Sequence, residues 1–300
     1  MTWANTAILS AAILGVVAII DSHLLSKRMP SFRAYLLPVG IIHLIYSLIC
    51  FSLFSFPEDI GIMPVVATVV SSILRAGAVY IMLYSLMVEE VSRVVPVIST
   101  YPIFVGIMAM PLLGESLHYL EWLAIIIIVV GAIMISAQQS PSGTTTWSVK
   151  PLLFFFGSSL LFALADISSK YALGYVSFWN MFSVSELCMS GIFLLPSIRL
   201  QSLRQLNYMK QRNSAIGLLT FNEMLSPIGI LLSIWALQRG PVSLVSTIVS
   251  SRPMFVVIFA FILSRISPGF LNWNPGKGRL GLRLIATAMI VGGITIIQLM

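Results

Sequence analysis

Five ionisable side chains fall inside long apolar stretches of this 300-residue chain: Arg75, Asp166, Glu186, Glu223 and Arg252. A charge in such a stretch costs about 2.5–3.5 kcal/mol on membrane-insertion scales, so these groups persist where they pair or where they line a wet cavity. A guanidinium offers a planar fork of donors that can grip a carboxylate or phosphate at two points. Arg75 and Arg252 are therefore candidates to hold an anionic group. The competing reading pairs them with Glu186 and Glu223 as structural glue. Asp166 has a nearer partner in Lys170, four positions on, the favourable order for an intrahelical ion pair. Glu223 shares a polar run with Asn222 and Ser226 beside Pro227. It is a candidate proton carrier, with simple ion pairing as the alternative.

Three prolines, Pro102, Pro227 and Pro253, interrupt the apolar stretches. Each is expected to free a carbonyl four residues back, those of Ile98, Glu223 and Val249. Broken helices can present bare backbone to a solute, whereas a packing kink is the plainer reading. Tyr101 directly precedes Pro102, and Arg252 directly precedes Pro253. Tyr80, Tyr84 and Trp235 have apolar faces and polar tips that suit a cavity wall, although aromatics in such helices more often pack or anchor at the interface. His43 is the one histidine placed to act as a switch, and a plain hydrogen-bonded role is the favoured reading.

Other chemistries lack their residues. There is no His-Glu-x-x-His and no Gly-x-Ser-x-Gly, and His23, His43 and His118 lie in different segments. Cys50 and Cys188 both sit in apolar runs and read as buried hydrophobes. Asn274-Pro275-Gly276-Lys277 is a turn that lacks the upstream glycine of a phosphate loop. No catalytic residues, metal or cofactor are expected, with a coupling proton as the one possible addition.

The elements that must position these residues follow from composition. The chain is 58% hydrophobic and 9% charged, and its mean hydropathy is +0.99. A soluble domain is about a quarter charged. The excess apolar surface needs lipid as its solvent, and a crossing takes roughly 20 apolar residues. Ten spans are expected, at about 4–25, 34–55, 63–88, 91–113, 119–137, 151–173, 178–196, 214–237, 241–264 and 282–299. The first lacks the basic flank and cleavage site of a signal peptide and reads as a retained helix. The net charge of +7 sits mostly in loops and signals membrane flanks, not a nucleic-acid partner.

The most polar stretch, Gln138–Ser148, divides the chain almost in half, and the halves repeat. Shifting the sequence by 151 positions lays Leu86–Val105 on Leu237–Val256 with eight identities in twenty, among them Val91-Ser92 on Val242-Ser243 and Pro102 on Pro253. Residues 1–139 form a first five-helix repeat, 140–149 a polar linker and 150–300 a second. An odd number of helices per copy inverts the second copy, an arrangement in which a solute is held between the halves near the midplane. Thirteen of the 17 Lys and Arg residues fall in the loops after odd-numbered spans. That bias puts those loops in the cytoplasm and both termini outside.

Two five-helix copies, with Val91-Ser92, Tyr101-Pro102-Ile103-Phe104, Leu113-Gly114-Glu115 and a following apolar helix carrying Gly131, resemble the EamA-type branch of the drug/metabolite transporter superfamily. The resemblance spans nearly the whole chain. It implies an all-α inner-membrane permease, often an exporter, for amino acids, drugs or other small metabolites. Its central cavity would be walled by spans 1, 3, 4, 6, 8 and 9. The second copy departs from the pattern, with Arg265-Ile266 where the first has Gly114-Glu115. Outside termini depart from the family's usual cytoplasmic ones.

The expected site therefore comprises Arg252, Glu223 and Arg75, with Tyr101, Asn222, Tyr84 and Trp235 around them. The expected partners are a small-molecule substrate and the lipid bilayer. The rival function is a flippase for a lipid or lipid-linked sugar, which would also need an internal cationic site for a phosphate.

Overall fold

The computed structural model describes residues 2–57, 60–88, 98–137, 149–266 and 280–299, and every regular element among them is helical. The helices are α1 (Trp3–His23), α2 (Phe32–Leu53), α3 (Ile62–Val88), α4 (Tyr101–Leu113), α5 (Tyr119–Ala137) and α6 (Val149–Ala172). They continue with α7 (Phe178–Ser197), the short α8 (Leu200–Gln205), α9 (Arg212–Arg239), α10 (Val242–Val249), α11 (Arg252–Ile266) and α12 (Leu280–Leu299). A π-helical turn, Leu24–Arg28, extends α1.

Local chemistry sets several of these ends. Thr2, Ser31 and Ser177 are N-caps whose hydroxyl oxygens accept from the backbone N–H of Asn5, Ala34 and Asn180, satisfying one of the donors that every helix start leaves free. Gly114 closes α4 with φ of 68°, a left-handed cap that costs glycine nothing. Within the helices, serine and threonine hydroxyls return to their own backbone, as Thr68 does to Pro64 and Thr247 to Ser243. That habit lets a hydroxyl sit in an apolar medium with its donor satisfied.

The distribution of side chains is inverted relative to a soluble protein. Large apolar residues are exposed, Leu48 at 59%, Ile62 at 81% and Leu195 at 82% among them, while His43, Ser47, Ser71, Asn180, Glu186 and Asn222 are buried. An exterior of that kind suits hydrocarbon, where backbone polar groups must be satisfied within helices. Among the described residues, six helical stretches are long and apolar enough to cross a bilayer: Trp3–Arg28, Phe32–Leu53, Ile62–Ser85, Phe178–Ser197, Arg212–Arg239 and Val242–Leu263. Tyr101–Leu113, Tyr119–Met134 and Leu284–Leu299 are shorter apolar helices.

The expected span 241–264 is not one helix. It is α10 followed by α11, with a turn at Ser250 and Ser251 between them. A turn at Ser99 and Thr100 likewise precedes α4. Pro102 and Pro253 are consequently the second residues of α4 and α11, not interior breakers. A helix start has no use for that N–H, so the prolines open the segments at no cost in hydrogen bonds. The Val91-Ser92 pair, the Gln138–Ser148 stretch and the Asn274–Lys277 turn lie outside the described residues.

The two halves interleave. α1 packs against α9, α10 and α11; α2 against α7; α3 against α6 and α7; α4 against α6 and α10; and α5 against α12. Small residues permit the closest approaches. A Cβ on Gly131 would fall 2.9 Å from the Ala286 carbonyl oxygen, and one on Gly293 would fall 2.5 Å from Ile128 Cγ1. Hydroxyl-to-carbonyl bonds join other pairs, Ser10 to Gly229 at 2.8 Å, Ser47 to Ser183 at 2.9 Å and Ser158 to Ala78 at 3.1 Å. Helix association in lipid relies on such packing and interhelical hydrogen bonds.

Candidate functional site

Two polar clusters occupy the interior. The first forms where the α10–α11 break meets α3, α4 and α6. Arg75 of α3 donates through Nη2 to Asp166 Oδ1 of α6 at 2.6 Å. The other carboxylate oxygen of Asp166 accepts from the Ser246 hydroxyl of α10. Tyr101, the first residue of α4, donates its hydroxyl to the Ser246 carbonyl at 2.9 Å. Arg252, the first residue of α11, lies close enough to Tyr101, Arg75 and Asp166 to interact electrostatically with all three. Arg75 holds the carboxylate directly, and Arg252 feels its charge without pairing with it. Arg75 Nε and Arg252 Nε are both buried without a hydrogen-bond partner among the described residues. A buried donor left bare costs about 1–3 kcal/mol; among the described residues the cluster holds two guanidinium groups against one carboxylate, and two unused donors.

The second cluster joins α1, α2, α7 and α9. His43 contacts Glu186 through Nδ1 and faces Glu223 through Nε2 at 3.6 Å. Asn222 Nδ2 donates to Asp21 at 2.6 Å and to Glu223 at 3.3 Å. Tyr35 donates to the same Asp21 oxygen at 2.6 Å.

The model of the EamA-like transporter family matches residues 1–137 and 149–298. The chain belongs to the EamA-like transporter family. It is thus a multi-pass membrane protein of a family that moves small molecules. A solved structure described only as "Crystal structure of protein" has the same fold, with a TM-score of 0.66 at 16% identity, over 99% of this chain and 95% of that one. Among curated proteins, none matches.

Within this EamA-like chain the expected site residues divide. Arg75, Arg252 and Tyr101 come together, whereas Glu223 and Asn222 belong to the second cluster. Neither arginine pairs with Glu186 or Glu223, because His43 takes both glutamates. The expected Asp166–Lys170 pair is absent. Asp166 turns to Arg75, and Lys170 Nζ donates to the carbonyls of Leu237, Gln238 and Gly240 at 2.9, 3.4 and 2.7 Å. A cation at the end of α9 satisfies carbonyls that the helix terminus leaves open. His43 does more than make one plain hydrogen bond, since both ring nitrogens face carboxylates.

Of the aromatic candidates, Tyr101 belongs to the first cluster, whereas Tyr80, Tyr84 and Trp235 make their ring contacts elsewhere. Tyr84 is 46% exposed and meets Phe32 edge-on, as Tyr80 does. Trp235 lies under the Arg239 guanidinium, 4.0 Å from its ring centre, a cation–π contact near a helix end. Pro227 lies inside α9, as expected.

Asp21, Tyr35, Ser246 and Glu115 were not singled out by their sequence context. Asp21 stands within two turns of Lys27-Arg28 and so resembles an interfacial charge. Glu115 caps a helix from the other half: its carboxylate accepts from Val242 N at 2.6 Å, Ser243 N at 3.3 Å and Ser243 Oγ at 2.8 Å. Only its place in the Gly114-Glu115 pair, missing from the second copy, hinted at a role.

Proposed function

We propose that this EamA-like protein is a secondary transporter that exports small metabolites carrying a carboxylate or similar anionic group, such as amino acids or organic anions, by alternating access. The observation that carries the reading is the pair of buried Nε donors on Arg75 and Arg252 that have no partner among the described residues, beside the Arg75–Asp166 pair. An entering carboxylate would satisfy both donors and neutralise the excess charge, and an arginine fork binds it at two points. Asp166 is then available to the ammonium of a zwitterion. The setting supports this use. Arg252 and Tyr101 open α11 and α4, and the N-terminal ends of discontinuous helices favour negative charge.

The ten-span, inverted-repeat architecture belongs to the same proposal. Under the 151-residue shift, the packing of α1 on α9 and α11 has its counterpart in the packing of α6 on α3 and α4. The α2–α7 contact is its own counterpart, as is the α5–α12 contact once about ten further residues in the second half are allowed for. The Lys and Arg bias places both termini outside an inner membrane.

The test is counterflow in liposomes with labelled amino acids and organic anions, comparing the wild type with Arg252→Ala. Saturable exchange that collapses in a folded Arg252→Ala variant is the expected result. Exchange unaffected by the substitution would make Arg252 structural. Scrambling of phospholipid without solute exchange would replace the reading with a flippase.

A further inference from the structure

The second cluster has a charge balance that its own residues do not close. Asp21, Glu186 and Glu223 are three carboxyl groups, and the one cationic group in contact with them among the described residues is His43. Fully ionised, they would leave two excess negative charges in the bundle interior, even with His43 protonated. The groups that face this centre are Asp21 from α1, Tyr35, His43, Tyr46 and Cys50 from α2, Glu186 from α7 and Glu223 from α9. α3, packed on α7, offers Ser71 and Ser72 to that side and not a charge.

A second feature lies at the same centre. Glu223 Oε2 and Asn222 Oδ1 have no hydrogen-bond donor among the described residues, although Glu223 is 3% and Asn222 1% exposed. The Asn222 amide is fixed in orientation, because its nitrogen already donates to Asp21 and Glu223. Its oxygen is therefore a bare acceptor inside the cluster. A proton added to Glu223 Oε2 turns one bare acceptor into a donor and removes one excess charge. Asp21 is less buried than Glu186 or Glu223 and is the member nearest to an outside supply.

We propose that Asp21, His43, Glu186 and Glu223 form a proton-binding site, distinct from the Arg75–Arg252 pair, that loads and releases a proton as α1, α2, α7 and α9 repack. Its role in coupling rests on the transporter reading, but its existence does not. Interacting groups of this kind titrate as a unit, with the proton belonging to the set.

The experiment is an infrared difference titration of the purified full chain in detergent micelles between about pH 5 and 8, with choline chloride as the salt. The expected result is a carboxylic-acid C=O band that disappears as pH rises and is lost or shifted in Glu223→Gln and in Asp21→Asn. Substituting sodium chloride for choline chloride leaves the wild-type band unchanged. The absence of a titrating acid band, or a band indifferent to both substitutions, overturns the proposal. Displacement of the band by sodium also overturns it, in favour of a metal-cation site. If either variant fails to fold, the wild-type titration and the sodium comparison still decide. No transported solute is needed, so failure here leaves the counterflow result standing, and failure of counterflow leaves this one standing.

Discussion

The Tyr101 hydroxyl lies 2.9 Å from the Ser246 carbonyl oxygen, tying the first turn of α4 to the helix that ends at the α10–α11 break. The tie crosses between halves at the point where Tyr101 and Arg252 are counterparts under the 151-residue shift. Removing the hydroxyl should loosen this junction without leaving an orphan, because the Ser246 carbonyl also accepts from Ser250 N at 2.9 Å. Tyr101→Phe is expected to cost about 0.5–1.5 kcal/mol, read as a small fall in thermal unfolding midpoint in micelles.

Asp166 should matter far more. Asp166→Asn leaves the Arg75 guanidinium without its paired anion and removes the negative charge that Arg252 feels, and breaking a buried ion pair by removing one partner costs about 3–5 kcal/mol. The double variant Arg75→Gln/Asp166→Asn should recover part of that loss, the remainder reflecting Arg252. Lys170→Ala should add to Asp166→Asn within about 0.5 kcal/mol, because the two side chains serve different helices. Strong non-additivity in unfolding midpoints would instead restore an Asp166–Lys170 pair.

What the sequence disclosed follows from which forces act locally. Composition and span length made the helical, lipid-facing character legible, and the Val91-Ser92 and Pro102-x-Phe104 motifs led to the EamA-like family. Most of the interior charges were legible too, though not Asp21, close to Lys27-Arg28: Arg75, Asp166, Glu186, Glu223 and Arg252 all fall in the two clusters. Their pairing was not, because it is set by tertiary packing across the 91 residues between Arg75 and Asp166 and the 143 between His43 and Glu186. The i,i+4 rule favours Lys170 for Asp166 in an isolated helix by only about 0.2–0.5 kcal/mol, which a well-placed guanidinium outweighs. Pro102 and Pro253 misled for a related reason, while Pro227 does lie inside a helix. A proline in an apolar run removes a hydrogen bond only if the run is one helix, and the turns at Ser99–Thr100 and Ser250–Ser251 carry no glycine to announce them.

The α5–α12 seam offers a test of packing with no charge involved. A Cβ on Gly131 would meet the Ala286 carbonyl oxygen at 2.9 Å and Ile290 Cγ1 at 2.8 Å. The side chain can shift, but the backbone oxygen of a packed helix yields less readily. Gly131→Val should therefore separate the helices and cost about 1–3 kcal/mol as overpacking. Gly217→Val, at a glycine with nothing within 4 Å of an added Cβ, should cost less in the same unfolding assay.

Glu115 and Lys170 together hold the α9–α10 connection from both sides. Lys170 takes the carbonyls at the end of α9, and Glu115 takes the N–H groups at the start of α10. Trp3 closes over the same connection, since a Cβ on Gly240 would fall 2.6 Å from its ring. A rearrangement that moved α10 relative to α4 would have to break the Glu115 bonds first. Loss of a capping side chain costs about 0.5–2 kcal/mol, and here the cap spans the two halves. Glu115→Ala should therefore speed amide hydrogen exchange in the peptide carrying Val242 and Ser243, while Glu115→Gln, which keeps an acceptor but not the charge, gives an intermediate rate. Equal exchange in all three proteins would mean that α10 is held by packing against α1 and α4 and that Glu115 is not its latch.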